Sequence, residues 1–107
     1  MSTLIRPEIT QKSEYYLPKH RFYELKHFVM QYPLWKKDPE RYFRQIELVK
    51  RCAQETDEII GPMIFEAVVN DWSYELIRAR KNVPCCKDTY YHLYRRFFWT
   101  LNNFKSL

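Results

Sequence analysis

The sequence predicts an all-α fold of four to five helices that ends in a helix-turn-helix. Three observations carry this. Beyond residue 18 apolar side chains recur three and four residues apart, the period of one helix face. The 107 residues contain one glycine, too few for a turn-rich β architecture or a glycine-rich phosphate loop. Capping and breaking residues then cut the chain into pieces of helical length. A chain of this size holds one domain with a modest core. The expected organisation is a flexible N-terminal arm over 1–17 and a single helical domain over 18–107, with the helix-turn-helix at about 62–104.

Residues 1–17 contain Pro7 and no sustained periodicity, although Tyr15, Tyr16 and Leu17 form a cluster able to pack on the body. Pro18 suits the first turn of a helix over 19–31, whose stripe is Phe22, Leu25, Phe28 and Val29. Tyr32-Pro33 ends that helix, and Leu34 and Trp35 are expected to pin the connection to the core. Asp38-Pro39-Glu40 is a start signal, with Asp38 as N-cap and Pro39 in the first helical position. The helix that follows, over 39–56, would bury Tyr42, Phe43, Ile46, Val49 and Ala53 and turn Arg41, Arg44, Lys50 and Arg51 to solvent. Asp57 caps a short turn in which Ile59 and Ile60 are expected inside. Gly61-Pro62 marks a joint. A helix over 62–70 is apolar on nearly all sides (Met63, Ile64, Phe65, Ala67, Val68, Val69), so it belongs at the centre.

The stretch from Trp72 to Asn103 carries the best functional clue. Ser73 is placed to cap a helix by accepting a bond from an orphan backbone N–H. Trp72 and Ile77 stand where a hydrophobic staple would close over that cap. Glu75 in the first turn and Arg78, Arg80 and Lys81 in the last suit the helix dipole. Asn82 tolerates the left-handed conformation that ends many helices, and Pro84 disfavours helix at Val83. A second helix then spans 87–103. Its apolar face is Tyr90, Leu93, Tyr94, Phe97, Phe98, Leu101 and Phe104, with Tyr91, His92, Arg95, Arg96 and Asn102 largely elsewhere.

Charge and cysteine usage narrow the function. The net charge is +5, unevenly spread. Residues 18–52 hold nine basic and four acidic groups, residues 53–72 five acidic and no basic, and residues 73–107 seven basic and two acidic. An acidic middle between basic ends fits a localised phosphate-binding face on the C-terminal part rather than a uniformly basic surface. The three cysteines, Cys52, Cys85 and Cys86, form no spacing framework and are read as reduced thiols. No C-x-x-C pair supports a metal site of Cys85, Cys86 and His92, and His20 and His27 alone do not make one. No metal or other cofactor is expected. No spacing suggests a catalytic triad, and Glu47, Glu55 and Asp57 need no catalytic role, so an enzyme is not expected. No run approaches the roughly 18 apolar residues of a membrane span, and no signal-peptide core is present, which points to a cytoplasmic protein.

In its C-terminal third the chain resembles the DNA-binding end of sigma factors. It also resembles small phage and prophage regulators with sigma-like helix-turn-helix ends, the ArpU/RinA type of late-gene activators among them. The residues that carry this are the apolar segment 65–69, Ser73-Tyr74-Glu75-Leu76-Ile77, Val83-Pro84 and the basic helix over 87–98. The string CCKDTYYHLYRRFFW also looks like short proteins of Gram-positive prophage regions. The pattern departs at Arg78, where a small residue is usual, at Lys81, where Leu is usual, and in a turn about two residues longer. The resemblance implies a sigma-like tri-helical unit and a sequence-specific double-stranded DNA-binding transcription regulator. In that role Lys87, Asp88, Thr89, Tyr91 and His92 would face base edges, and Arg78, Arg80, Lys81, Arg95 and Arg96 would neutralise phosphates. Ser73 and Tyr74 would touch the backbone from the first helix. RNA polymerase, another protein or a second copy of the chain are the expected partners besides DNA. The aromatic end of the last helix (Phe98, Trp99, Phe104) is then either an interface or ordinary core. The alternative is a protein-binding adaptor or inhibitor, or a small terminase-like packaging subunit, built on the same hairpin.

Overall fold

A computed structural model describes residues 15–105. Its helices are α1 (Lys19–Met30), α2 (Tyr32–Trp35), α3 (Phe43–Thr56), α4 (Ile60–Val69), α5 (Tyr74–Lys81) and α6 (Lys87–Lys105), and no strand occurs among the described residues. The fold is all-α, with five helices and the single turn of α2. None of the helices is long and apolar enough to cross a membrane. The expected arm falls mostly on residues 1–14, outside the described residues. Leu17 is buried, and the Tyr15 ring lies 5.3 Å from His92 and 5.4 Å from Trp99.

The longest helix, α6, is the axis. It packs against α1, α3 and α4, and α4 also touches α5. Tyr90, Tyr94, Phe97, Phe98 and Leu101 are its buried face. Phe22 of α1 meets Phe98 edge to face at 4.9 Å, a favoured aromatic geometry. The central position read for α4 holds: Ile60, Gly61, Ile64, Ala67 and Val68 are all buried.

The joints explain where the helices stop. α3 and α4 form a hairpin through Asp57, whose Oδ1 accepts the backbone N–H groups of Ile59 (2.9 Å) and Ile60 (2.8 Å). Gly61 is no joint. It lies within the first turn of α4, pressed against α3, where a Cβ would stand 1.8 Å from the Ala53 carbonyl oxygen. Only glycine permits that approach. α4 ends in a Schellman motif with Asp71 left-handed at φ 56°. Trp72 N–H bonds Ala67 O (2.7 Å) and Asp71 N–H bonds Val68 O (3.1 Å), the paired bonds of that cap. Asp71 then reaches Lys26 of α1 at 3.3 Å.

Four expectations ahead of α4 are corrected. α3 begins at Phe43, four residues later than the Asp38-Pro39 signal suggested. Asp38 does accept a long bond from Arg41 N–H (3.4 Å), but Tyr42 at ψ 22° interrupts the path and is itself the N-cap. Phe43 is 60% exposed, Leu34 55% and Ile59 62%, so none of the three is core. Each lies beside a residue that took the inward position: Trp35, buried against Phe28 at 4.8 Å, and Ile60, or the half-buried Tyr42.

The Gly61 contact sets a sign that helix propensity alone would reverse. Gly61→Ala in a free helix gains about 1 kcal/mol; here the collision with α3 backbone is expected to cost on the order of 3 kcal/mol. The urea midpoint of the variant should fall, and a rise would mean that α3 and α4 are not this close.

Candidate nucleic-acid interface

The hairpin α5–turn–α6 is built as its local signals indicate. Ser73 Oγ accepts the Leu76 N–H at 3.2 Å. Asn82 closes α5 in the left-handed region at φ 55°, its N–H on Arg78 O. Val83 is buried and Pro84 exposed. Cys86 starts α6: its carbonyl accepts the Tyr90 N–H at 2.9 Å, and its sulfur lies 3.3 Å from Thr89 Oγ1. A thiol at this position does the work that a serine hydroxyl does at the start of α5.

Tyr74 holds the two helices together. Its hydroxyl donates to the Cys85 carbonyl at 2.7 Å, and its N–H donates to the Tyr91 hydroxyl at 3.3 Å. Its ring lies 5.2 Å from Tyr90. The first turns of α5 and α6 therefore lie side by side, and the Lys87 ammonium reaches the Glu75 carboxylate at 2.9 Å. That hydrogen bond holds the Glu75 carboxyl below its ordinary range and raises Lys87.

The sequence-predicted residues divide into three sets. Ser73, Asp88, Thr89, His92, Arg78 and Arg96 are exposed. Asp88, His92 and Arg96 are spaced by four along α6 and form one outward stripe that continues to Trp99. Arg78 and Arg96 hold no ion pair among the described residues, while Arg78 and Lys87 line an open cleft beside the turn with Glu75, Pro84 and Cys86. A second set is exposed but engaged: Lys87 with Glu75, Lys81 with Glu66 (3.5 Å), and Arg80 over the Trp72 ring at 4.8 Å. The third set turns inward. Tyr74 is 5% exposed and belongs to the core, so its hydroxyl is not at the surface to reach a phosphate backbone. Tyr91 and Arg95 are half-buried.

Sequence reasoning missed Glu75 and Glu66 as partners of the basic residues, because separations of twelve and fifteen positions carry no local signal. It also missed Tyr15, which lies against His92 on the outward stripe. Cys86 as a cap was findable: Cys-x-x-Thr has the spacing of a capping box. Among the described residues no three His, Cys, Asp or Glu side chains gather as a metal site. No family model, curated protein or solved structure significantly matches the chain.

The three thiols have different environments. Burial, helped by Glu55, pushes Cys52 up to about 12. Burial also raises Cys85, whereas the bonds from Thr89 hold Cys86 below the ordinary thiol value. Since the thiolate is the reactive form, iodoacetamide should label Cys86 first as pH rises, then Cys85, with Cys52 protected until unfolding. Thr89→Val should move Cys86 labelling to higher pH. Mass spectrometry of quenched samples reads the order; Cys52 reacting first would contradict it.

Proposed function

We propose that the chain is a sequence-specific double-stranded DNA-binding regulator of transcription, of the phage or prophage type, acting by binding rather than catalysis. The observation that carries this reading is the outward stripe of α6. Asp88, His92 and Arg96 point away from the core at helical spacing, and the first turn of α5 stands against Lys87 and Tyr91 of the same helix. A helix-turn-helix presents this surface to the major groove, with base readers near the start of the second helix and basic residues on phosphates. In this arrangement Thr89, Asp88 and His92 read base edges. Arg96, Arg78 and Lys87 hold phosphates, with Arg80 and Lys81 on the flank and Ser73 at the backbone.

The engaged residues do not weaken the reading. Lys87–Glu75 and Lys81–Glu66 are exposed pairs, and such pairs are worth about 0–1 kcal/mol. Exchange of a carboxylate for a phosphate oxygen therefore costs little. The same engagement is what favours the second reading, a protein-binding adaptor, in which the pairs stay closed and the exposed side chains meet another protein.

Selection from a random duplex pool, followed by titration at two salt concentrations, separates these. A regulator yields a consensus, with log affinity falling against log salt by about 0.9 for each phosphate neutralised. Arg96→Ala and Arg78→Ala should each weaken binding across sequences and reduce that slope by about 1. His92→Ala should change the preferred bases instead. Enrichment of nothing, with no effect of either arginine, would remove the DNA reading.

A further inference from the structure

The outward face of α3 carries Arg44, Glu47, Leu48, Arg51 and Glu55, all within one helical stripe. Beside it a groove of about 580 Å³ runs between α3 and the end of α6, lined by these residues up to Arg51 together with Phe43 and Phe104. Phe43 is a large aromatic left 60% exposed, and Leu48 and Phe104 are half-buried. Arg51 lies over the Phe104 ring at 5.2 Å and 3.7 Å from Glu55.

The order of charges along this stripe is basic, acidic, basic, acidic, with Leu48 near its middle. Reversed, the order becomes acidic, basic, acidic, basic, which complements the original at each step. A twofold interface brings one patch against itself, so a stripe with this order is its own partner when two copies run antiparallel. Centred between residues 49 and 50, the pairing sets Arg44 opposite Glu55 and brings Glu47 within a turn of Arg51. It sets Phe43 opposite position 56, just over one turn past the Arg51–Phe104 contact of the other copy. A parallel twofold pairing would set each arginine against itself. An antiparallel pairing slipped by one turn would set Arg44 against Arg51. Like charges so placed are repelled.

We propose that a second copy of this chain occupies the groove, with α3 packed antiparallel against α3. The exposed aromatic supplies the apolar contact, and the charges fix direction and register. The pairing is independent of the DNA reading, because the groove takes only Phe104 from α6.

The test uses two surface variants of the full chain, Arg44→Glu with Arg51→Glu and Glu47→Lys with Glu55→Lys, followed by sedimentation equilibrium. Wild type is expected to dimerise. Each variant alone presents one sign of charge to itself and should lose at least about tenfold in self-affinity, a factor that corresponds to 1.4 kcal/mol. An equimolar mixture should restore a heterodimer. Phe43→Ala, an exposed position, should weaken the wild-type dimer while leaving the helical circular dichroism unchanged. A wild type that stays monomeric as concentration rises, variants that self-associate like wild type, or a mixture that stays monomeric would each overturn the proposal. DNA titration of the same variants is read separately, so failure of one reading does not decide the other.

Discussion

The buried aromatic face of α6 is the constraint on which the other elements depend. Phe22 reaches it from α1 at Phe98, Tyr74 from α5 at Tyr90, and α3 and α4 lie along its length. Phe97, Phe98 and Tyr90 are at most 1% exposed. Truncating one such ring to alanine typically costs about 3–5 kcal/mol, a large part of the 5–15 kcal/mol by which a domain is stable. One helix thus organises the core with one face and turns the stripe of Asp88, His92 and Arg96 outward on the other, where Tyr15 lies against His92. The rigidity of that stripe comes from the packing behind it.

Tyr74 couples the same core to the turn. A single side chain packs on Tyr90, ties the Cys85 carbonyl and lies next to the Tyr91 hydroxyl bonded to its own N–H. The turn between α5 and α6 is five residues long, and its path is held by these bonds together with buried Val83. A hairpin without glycine at this place still turns, because Asn82 accepts the left-handed conformation and Tyr74 supplies the contact that fixes the helix pair.

Charge in this protein is blocked along the sequence and mixed in space. The segment 53–72 has five acidic groups and no basic one. In the fold Glu55 meets Arg51, Asp57 caps the start of α4, Glu66 meets Lys81 and Asp71 meets Lys26. Four of the five acidic groups thus serve joints and pairs, and Glu58 stands exposed in the turn before α4. Arg78 and Arg96, which have no such partner among the described residues, are what remains on the hairpin as open positive charge.

The sequence by itself determined the helical class, the length and inner face of α6, and the two ends of α5. Each rests on interactions within a turn or two of the chain: apolar spacing, the Ser73 cap and the left-handed Asn82. Of the residues offered as an interface, spacing placed His92 and Arg96 off the apolar face of α6, but it could not show which basic residues an acidic partner engages. Tertiary structure decided the rest. It made Tyr74 a core residue, paired Lys87 with Glu75 and Lys81 with Glu66, and left Phe43, Leu34 and Ile59 outside. It also turned Gly61 from an apparent joint into the contact between α3 and α4. These outcomes depend on what another helix brings to the position, and a residue's own neighbours in the chain do not encode that.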